Sequence, residues 1–144
     1  MLIIHLCTAI ASDILLMLTA VTSLLYLRQD YCLKYKKKII ALPSIQSIDA
    51  FGLRLLISAF VFMTIGIIAG SFLAYNQWGS RWYLDPRQIW SMLNWGVFAV
   101  VLMARFQVGW RGRLAVIITL IGVTLMLIGF LTLHYFNWSQ HHAL

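Results

Sequence analysis

A chain of 144 residues that is 62% hydrophobic and 10% charged has too few ionic groups to cover a domain surrounded by water, so its long apolar stretches place it in a bilayer. The formal net charge of +7 does not point to nucleic acid, because the basic residues lie in short connections between apolar runs and not on one phosphate-facing surface. Cys7 and Cys32 form neither a Cys-x-x-Cys pair nor a metal-ligand spacing.

About 20 mostly apolar residues cross a bilayer, and such runs occur at Leu2–Leu27, Phe51–Tyr75, Gln88–Gln107 and Arg113–Phe136. The expected fold is all-α, an integral membrane bundle of about four transmembrane helices, with residues 1–144 as a single domain. The first run has no basic segment ahead of it and is too long for a secretory h-region, so no cleavable signal is expected. It carries His5 near its start and Asp13 near its middle. A carboxylate at that depth is costly and should face the bundle or water, as a proton or cation site or, more plainly, as a protonated or helix-bonded group. In the second run, Gly66-Ile67-Ile68-Ala69-Gly70 allows another helix to approach closely, which is a packing signal.

The connection between the second and third runs, with the first residues of the third, holds three tryptophans and a tyrosine between Asn76 and Trp90. Trp78, Trp82, Tyr83 and Trp90 with Gly79, Arg81, Asp85 and Arg87 suit a flat aromatic shelf for a planar apolar ligand, and equally an interfacial belt. Asp85-Pro86-Arg87-Gln88 reads as a helix start, with Asp85 as N-cap, Pro86 at the first helical position and Gln88 completing a capping box. The positive end of that helix and the donors of Arg81 and Arg87 would attract carboxylates such as heme propionates; alternatively, Asp85 pairs with one arginine and only folds the loop. The fourth run ends in His134 and then His141-His142. Neutral imidazoles are good iron ligands. His134, inside the run, is the last choice among them, and the terminal pair also reads as a frayed tail.

Nine of the eleven basic residues flank the first and third connections: Arg28, Lys34, Lys36, Lys37, Lys38 and Arg54 for one, Arg105, Arg111 and Arg113 for the other. Only Arg81 and Arg87 flank the second. Basic loops stay on the cytoplasmic side, so both termini and the loop Asn76–Arg87 should lie outside. His5, the tryptophan-rich loop and His141-His142 then gather on one face of the membrane. No nucleophile–base set, phosphate loop or zinc spacing marks an enzyme.

The segment Trp78-Gly79 … Trp82 … Asp85-Pro86 … Trp90 … Trp95 resembles the tryptophan-rich motif of the cytochrome c assembly family, the heme-handling membrane proteins of c-type cytochrome biogenesis and their HemX-like relatives. Leu24-Leu25-Tyr26-Leu27, Leu42-Pro43-Ser44 and Gly109-Trp110-Arg111-Gly112-Arg113 are similar to further segments of that family. The resemblance implies an outward loop that binds non-covalent b-type heme through Trp78, Gly79, Trp82, Asp85 and Trp90, with propionates near Arg81 and Arg87. It implies His5 and His141 as axial iron ligands, with His142 as the alternative to His141. It further implies heme delivery without chemistry of its own, another assembly protein or an apocytochrome as partner, and a multi-pass place in the bacterial inner membrane. Leu84 stands where the family usually has Trp, and Gln88 where it usually has an acid. Ser139-Gln140-His141-His142 stands where the family ends in a Gly-Leu-His-Ser-Tyr-like segment, and family members tend to have further helices upstream. Two other functions fit the same residues: a b-type heme anchor of a respiratory complex, and a cofactor-free membrane interaction protein.

Overall fold

In the computed structural model, which describes residues 2–35, 43–79, 86–107 and 112–141 (without the side chains of 77, 78 and 133–141), the chain forms four helices. They are α1 (Leu2–Lys34), α2 (Ile45–Trp78), α3 (Pro86–Gln107) and α4 (Arg113–His141). Each contains a window long and apolar enough to cross a membrane, as the hydropathy predicts.

The helices outrun the apolar windows that announced them. α1 continues through Arg28–Lys34, and α2 begins six residues before Phe51, at Ile45. Hydropathy marks where the chain lies in lipid, whereas a helix continues until its hydrogen bonds end, and Arg, Gln and Lys are good helix formers in water. At 33 residues, α1 is about 50 Å long by its rise of 1.5 Å per residue, against about 30 Å of hydrocarbon. Its basic end therefore stands clear of the apolar layer. Ser44 caps α2, its Oγ accepting from Ser47 N at 3.2 Å. Gly79 ends the helix at φ 61°, a left-handed conformation that glycine takes without a Cβ penalty. α3 starts at Pro86, the first-position proline that the sequence predicts.

α1 packs on α2 and α4, and α3 packs on α2 and α4, so the helices close into an up-and-down ring of antiparallel neighbours. The α1/α2 interface is much the largest and is lined with small residues. Ser12 Oγ donates to Ala59 O at 3.1 Å, and a Cβ added at Gly52 would lie 3.1 Å from Thr22 Oγ1. Helices in lipid associate by such close contact, because no hydrophobic effect drives them together there. The mid-bundle core is Leu16, Leu56, Ala59, Phe98, Val101, Leu102 and Val123, drawn from all four helices. Large apolar side chains such as Ile3, Val100 and Leu131 point outward, where lipid receives them.

At the basic end, Tyr26, Ile48 and Val116 form a second cluster, and Arg105 pairs with Asp49. The sequence counted Arg105 with the third connection. It lies instead in the last turn of α3, buried and tied to α2, because a guanidinium this near the apolar layer needs a carboxylate partner. Gln29 Nε2 donates to Pro43 O at 2.9 Å, tying the end of α1 to the entry of α2. Cys7 and Cys32 are free thiols, near opposite ends of one helix and beyond disulfide reach.

Candidate functional site

The end opposite the basic loops holds a partly open cleft of about 470 Å³, within the size range of small-molecule sites. It lies where the start of α1, the second half of α2, the start of α3 and the second half of α4 come together. His5 and Asp13 line it from α1, Gly66 and Gly70 from α2, Arg87, Gln88 and Trp90 from α3, and Met126 and Phe130 from α4.

His5 is held from behind. Its Nδ1 lies 2.8 Å from the carbonyl oxygen of Gly66. A carbonyl only accepts, so Nδ1 carries the proton and donates it. Nε2 has no partner among the described residues and faces away from that bond. The ring edge rests on Gly70, where an added Cβ would lie 2.8 Å from Cε1. The Gly-x-x-x-Gly pattern, which the sequence offers only as a packing signal, is thus the recess for the candidate ligand.

Trp90 is placed by the same device on the other side of the cleft. Its indole lies so close to Gly129 of α4 that a Cβ there would fall 1.8 Å from Cε2. Its Nε1 is buried with no hydrogen-bond partner among the described residues. Gln88 is buried and its Nε2 donates to Ser71 Oγ at 2.9 Å, so it ties the entry of α3 to α2. Its expected partner in a capping box, Asp85, lies outside the described residues. Arg87 is exposed on the first turn of α3 and lines the cleft, beside the positive end of that helix.

Asp13 lines the cleft floor, half-buried, eight residues and about 12 Å along α1 from His5. The carboxyl faces the bundle interior as its cost in lipid requires. It forms no hydrogen bond or ion pair with another described residue. Trp95, the last residue of the tryptophan-rich pattern, lies away from the cleft. Its Nε1 donates to Thr64 Oγ1 at 2.9 Å and its ring stacks on Phe60 with centroids 5.4 Å apart, which makes it a fastener between α3 and α2.

Of the predicted site residues, the structure therefore brings together His5, Arg87 and Trp90. Gly79 closes α2 at the same end of the bundle. Arg81, Trp82, Asp85 and His142 lie outside the described residues, as do the side chains of Trp78, His134 and His141. Sequence reasoning missed Gly129 and Ser71, and gave Gly66 and Gly70 no part in the site. The glycine spacing was visible, but its partner is sixty-one residues away in sequence. Gly129, like Gly122 before it in the same apolar helix, carries nothing in the sequence that points to Trp90.

The family described as cytochrome C assembly protein has a sequence model that matches residues 1–141. The chain is similar to the cytochrome c biogenesis protein CcsA of Trieres chinensis, 36% identical over 100 residues that cover 69% of this chain and 32% of the relative. It is similar to CcsA of Chlamydomonas reinhardtii, 41% identical over 78 residues covering 54% and 22%. It is also similar to CcsA of Synechocystis sp., 37% identical over 95 residues covering 66% and 28%. The chain thus spans a third or less of the length of these relatives. No solved structure matches it.

Proposed function

The chain belongs to the cytochrome c assembly protein family as a multi-pass membrane protein, and from that premise we propose that it binds heme in the cleft and hands it on for cytochrome c assembly at the outer membrane face. One observation carries the reading: a histidine whose Nδ1 is tied to backbone at 2.8 Å offers its other nitrogen in a cleft shared with a tryptophan and an arginine. That is the donor set a non-covalent, b-type heme needs: a neutral imidazole for iron, a flat aromatic face, and a cation for carboxylates. When bound, heme supplies the prosthetic group that a partner attaches to an apocytochrome; the chain itself binds and delivers, and is no enzyme. His5 orients its lone pair, Trp90 provides a stacking face fixed against Gly129, and Arg87 with the start of α3 favours the anionic edge.

The second imidazole is proposed to come from His141, with His142 as the alternative, beyond the part of α4 that lines the cleft through Met126 and Phe130. The residues Trp78, Gly79, Trp82, Asp85 and Arg81 belong to the same proposed site, at the loop that joins α2 to α3.

A pyridine hemochrome assay on the full chain, purified in detergent from heme-replete membranes, tests the reading. The expected result is b-type heme near one per chain, strongly reduced in His5→Ala; recovery of no heme from gently extracted membranes contradicts it. In the proposed orientation the basic loops face the cytoplasm of a bacterial inner membrane, as the preference of Lys and Arg for that side suggests. Accordingly, a membrane-impermeant thiol reagent should label Cys32 in inverted vesicles and not in intact cells.

A further inference from the structure

We propose that the Gly66–Gly70 face of α2 is a positioning site for His5, which holds the imidazole as its Nδ1–H tautomer and so makes Nε2 the nitrogen presented to the cleft. The tautomer stands on the geometry alone; only the identity of the iron-bearing ligand rests on the function proposed above.

Residues 66 and 70 are one helical turn apart, so both lie on the α2 face turned to α1. With no side chain at either position, the Gly66 carbonyl is uncovered. It has two lone pairs, and one remains for His5 Nδ1 at 2.8 Å beside the bond that the helix itself uses. A Cβ at position 70 would lie 2.8 Å from His5 Cε1 and 3.0 Å from Nδ1. Contacts that short are not tolerated, so any side chain there must push the ring off the carbonyl. The neighbouring contact is of a different kind: a Cβ at Gly66 would meet Thr8 Oγ1 at 3.2 Å, and that hydroxyl is already committed to Ile4 O at 2.7 Å.

The consequence is chemical. A free neutral imidazole in water favours the Nε2–H form, whose lone pair is on Nδ1. In this recess that form would set a lone pair against a carbonyl oxygen and leave the cleft facing an N–H, which cannot ligate a metal. The carbonyl reverses the preference. A backbone acceptor on the rear nitrogen also fixes ring orientation and raises the basicity of the front one. A packing role alone would make Gly70 equivalent to Gly52, where an added Cβ would meet Thr22 Oγ1 at 3.1 Å and no histidine is involved.

The test reads the tautomer without any cofactor. The full chain, labelled with 15N-histidine and free of heme, is placed in lipid nanodiscs above about pH 8.5, where a free imidazole is neutral. The His5 resonances are identified by their loss in His5→Gln. Wild type should show a protonated Nδ1 and an unprotonated Nε2. Gly70→Ala should lose that pattern and Gly52→Ala should keep it. A wild-type spectrum with Nε2 protonated overturns the proposal, as does an unchanged tautomer in Gly70→Ala. If Gly70→Ala does not fold, the wild-type spectrum still decides. Adding hemin to the same samples separates the two ideas: the expected tautomer with no heme uptake leaves the recess standing and removes the heme site.

Discussion

The two ends of the bundle treat their carboxylates differently. At the basic end Arg105 is 8% exposed and meets Asp49, and Gln29 donates to Pro43 O. The polar side chains there fasten helix to helix. At the cleft end His5 and Gln88 are fastened on one side only, by Gly66 O and Ser71 Oγ, and Asp13 has no partner among the described residues. Gln29 Oε1 is also buried without a partner among the described residues, so what separates the two ends is the ion pair: Asp49 meets a guanidinium, whereas Asp13 lines a cavity at a depth where an ionised carboxylate is costly.

The comparison breaks hardest at the ion pair. Arg105→Leu leaves Asp49 as an uncompensated charge and should cost about 3–5 kcal/mol, read as earlier unfolding in a detergent denaturation series. Because the pair lies at the far end, the protein that remains folded should bind heme as wild type does. If heme uptake per folded molecule falls as well, the two ends are not independent.

Gly129→Ala comes next. Its new Cβ would overlap the Trp90 indole, and overpacking of this kind costs about 1–3 kcal/mol. The double variant Gly129→Ala, Trp90→Ala should be more stable than the two single losses predict, with a coupling of about 0.5–3 kcal/mol. Additive losses would show that the indole does not rest on Gly129. Gln88→Ala removes one buried hydrogen bond to Ser71 and should cost about 1 kcal/mol, measured in the same series. The smallest effect belongs to Trp95→Phe, which keeps the stack on Phe60 and gives up the bond to Thr64, about 0.5–1.5 kcal/mol, with no change in heme content. A large loss of heme from Trp95→Phe would place that ring in the site after all.

What the sequence made legible follows from how local each signal is. Span positions, the Pro86 start and the gathering of His5 with the entry of α3 at one end came from hydropathy, helix-start chemistry and the uneven charge of the connections, each read over a single turn, span or connection. The helix ends at Lys34 and Ile45 did not, because hydropathy falls before hydrogen bonding does. The pairings Asp49–Arg105, His5–Gly66, Ser71–Gln88 and Trp90–Gly129 depend on the register between helices, and one sequence does not contain that register. The tryptophan-rich pattern shows the limit well: Trp90 and Trp95 look equivalent along the chain, yet five residues turn an α-helix by about 140°, so one faces the cleft and the other fastens α3 to α2.

The claim on which the rest depends is that iron in this cleft is held by His5 and an imidazole from α4. Low-temperature EPR of the ferric, purified full chain tests it most directly. The predicted spectrum is low-spin with two axial imidazoles, converting to high-spin in His5→Ala and in His141→Ala while persisting in His134→Ala. A low-spin bis-imidazole signal that survives in His5→Ala contradicts the account.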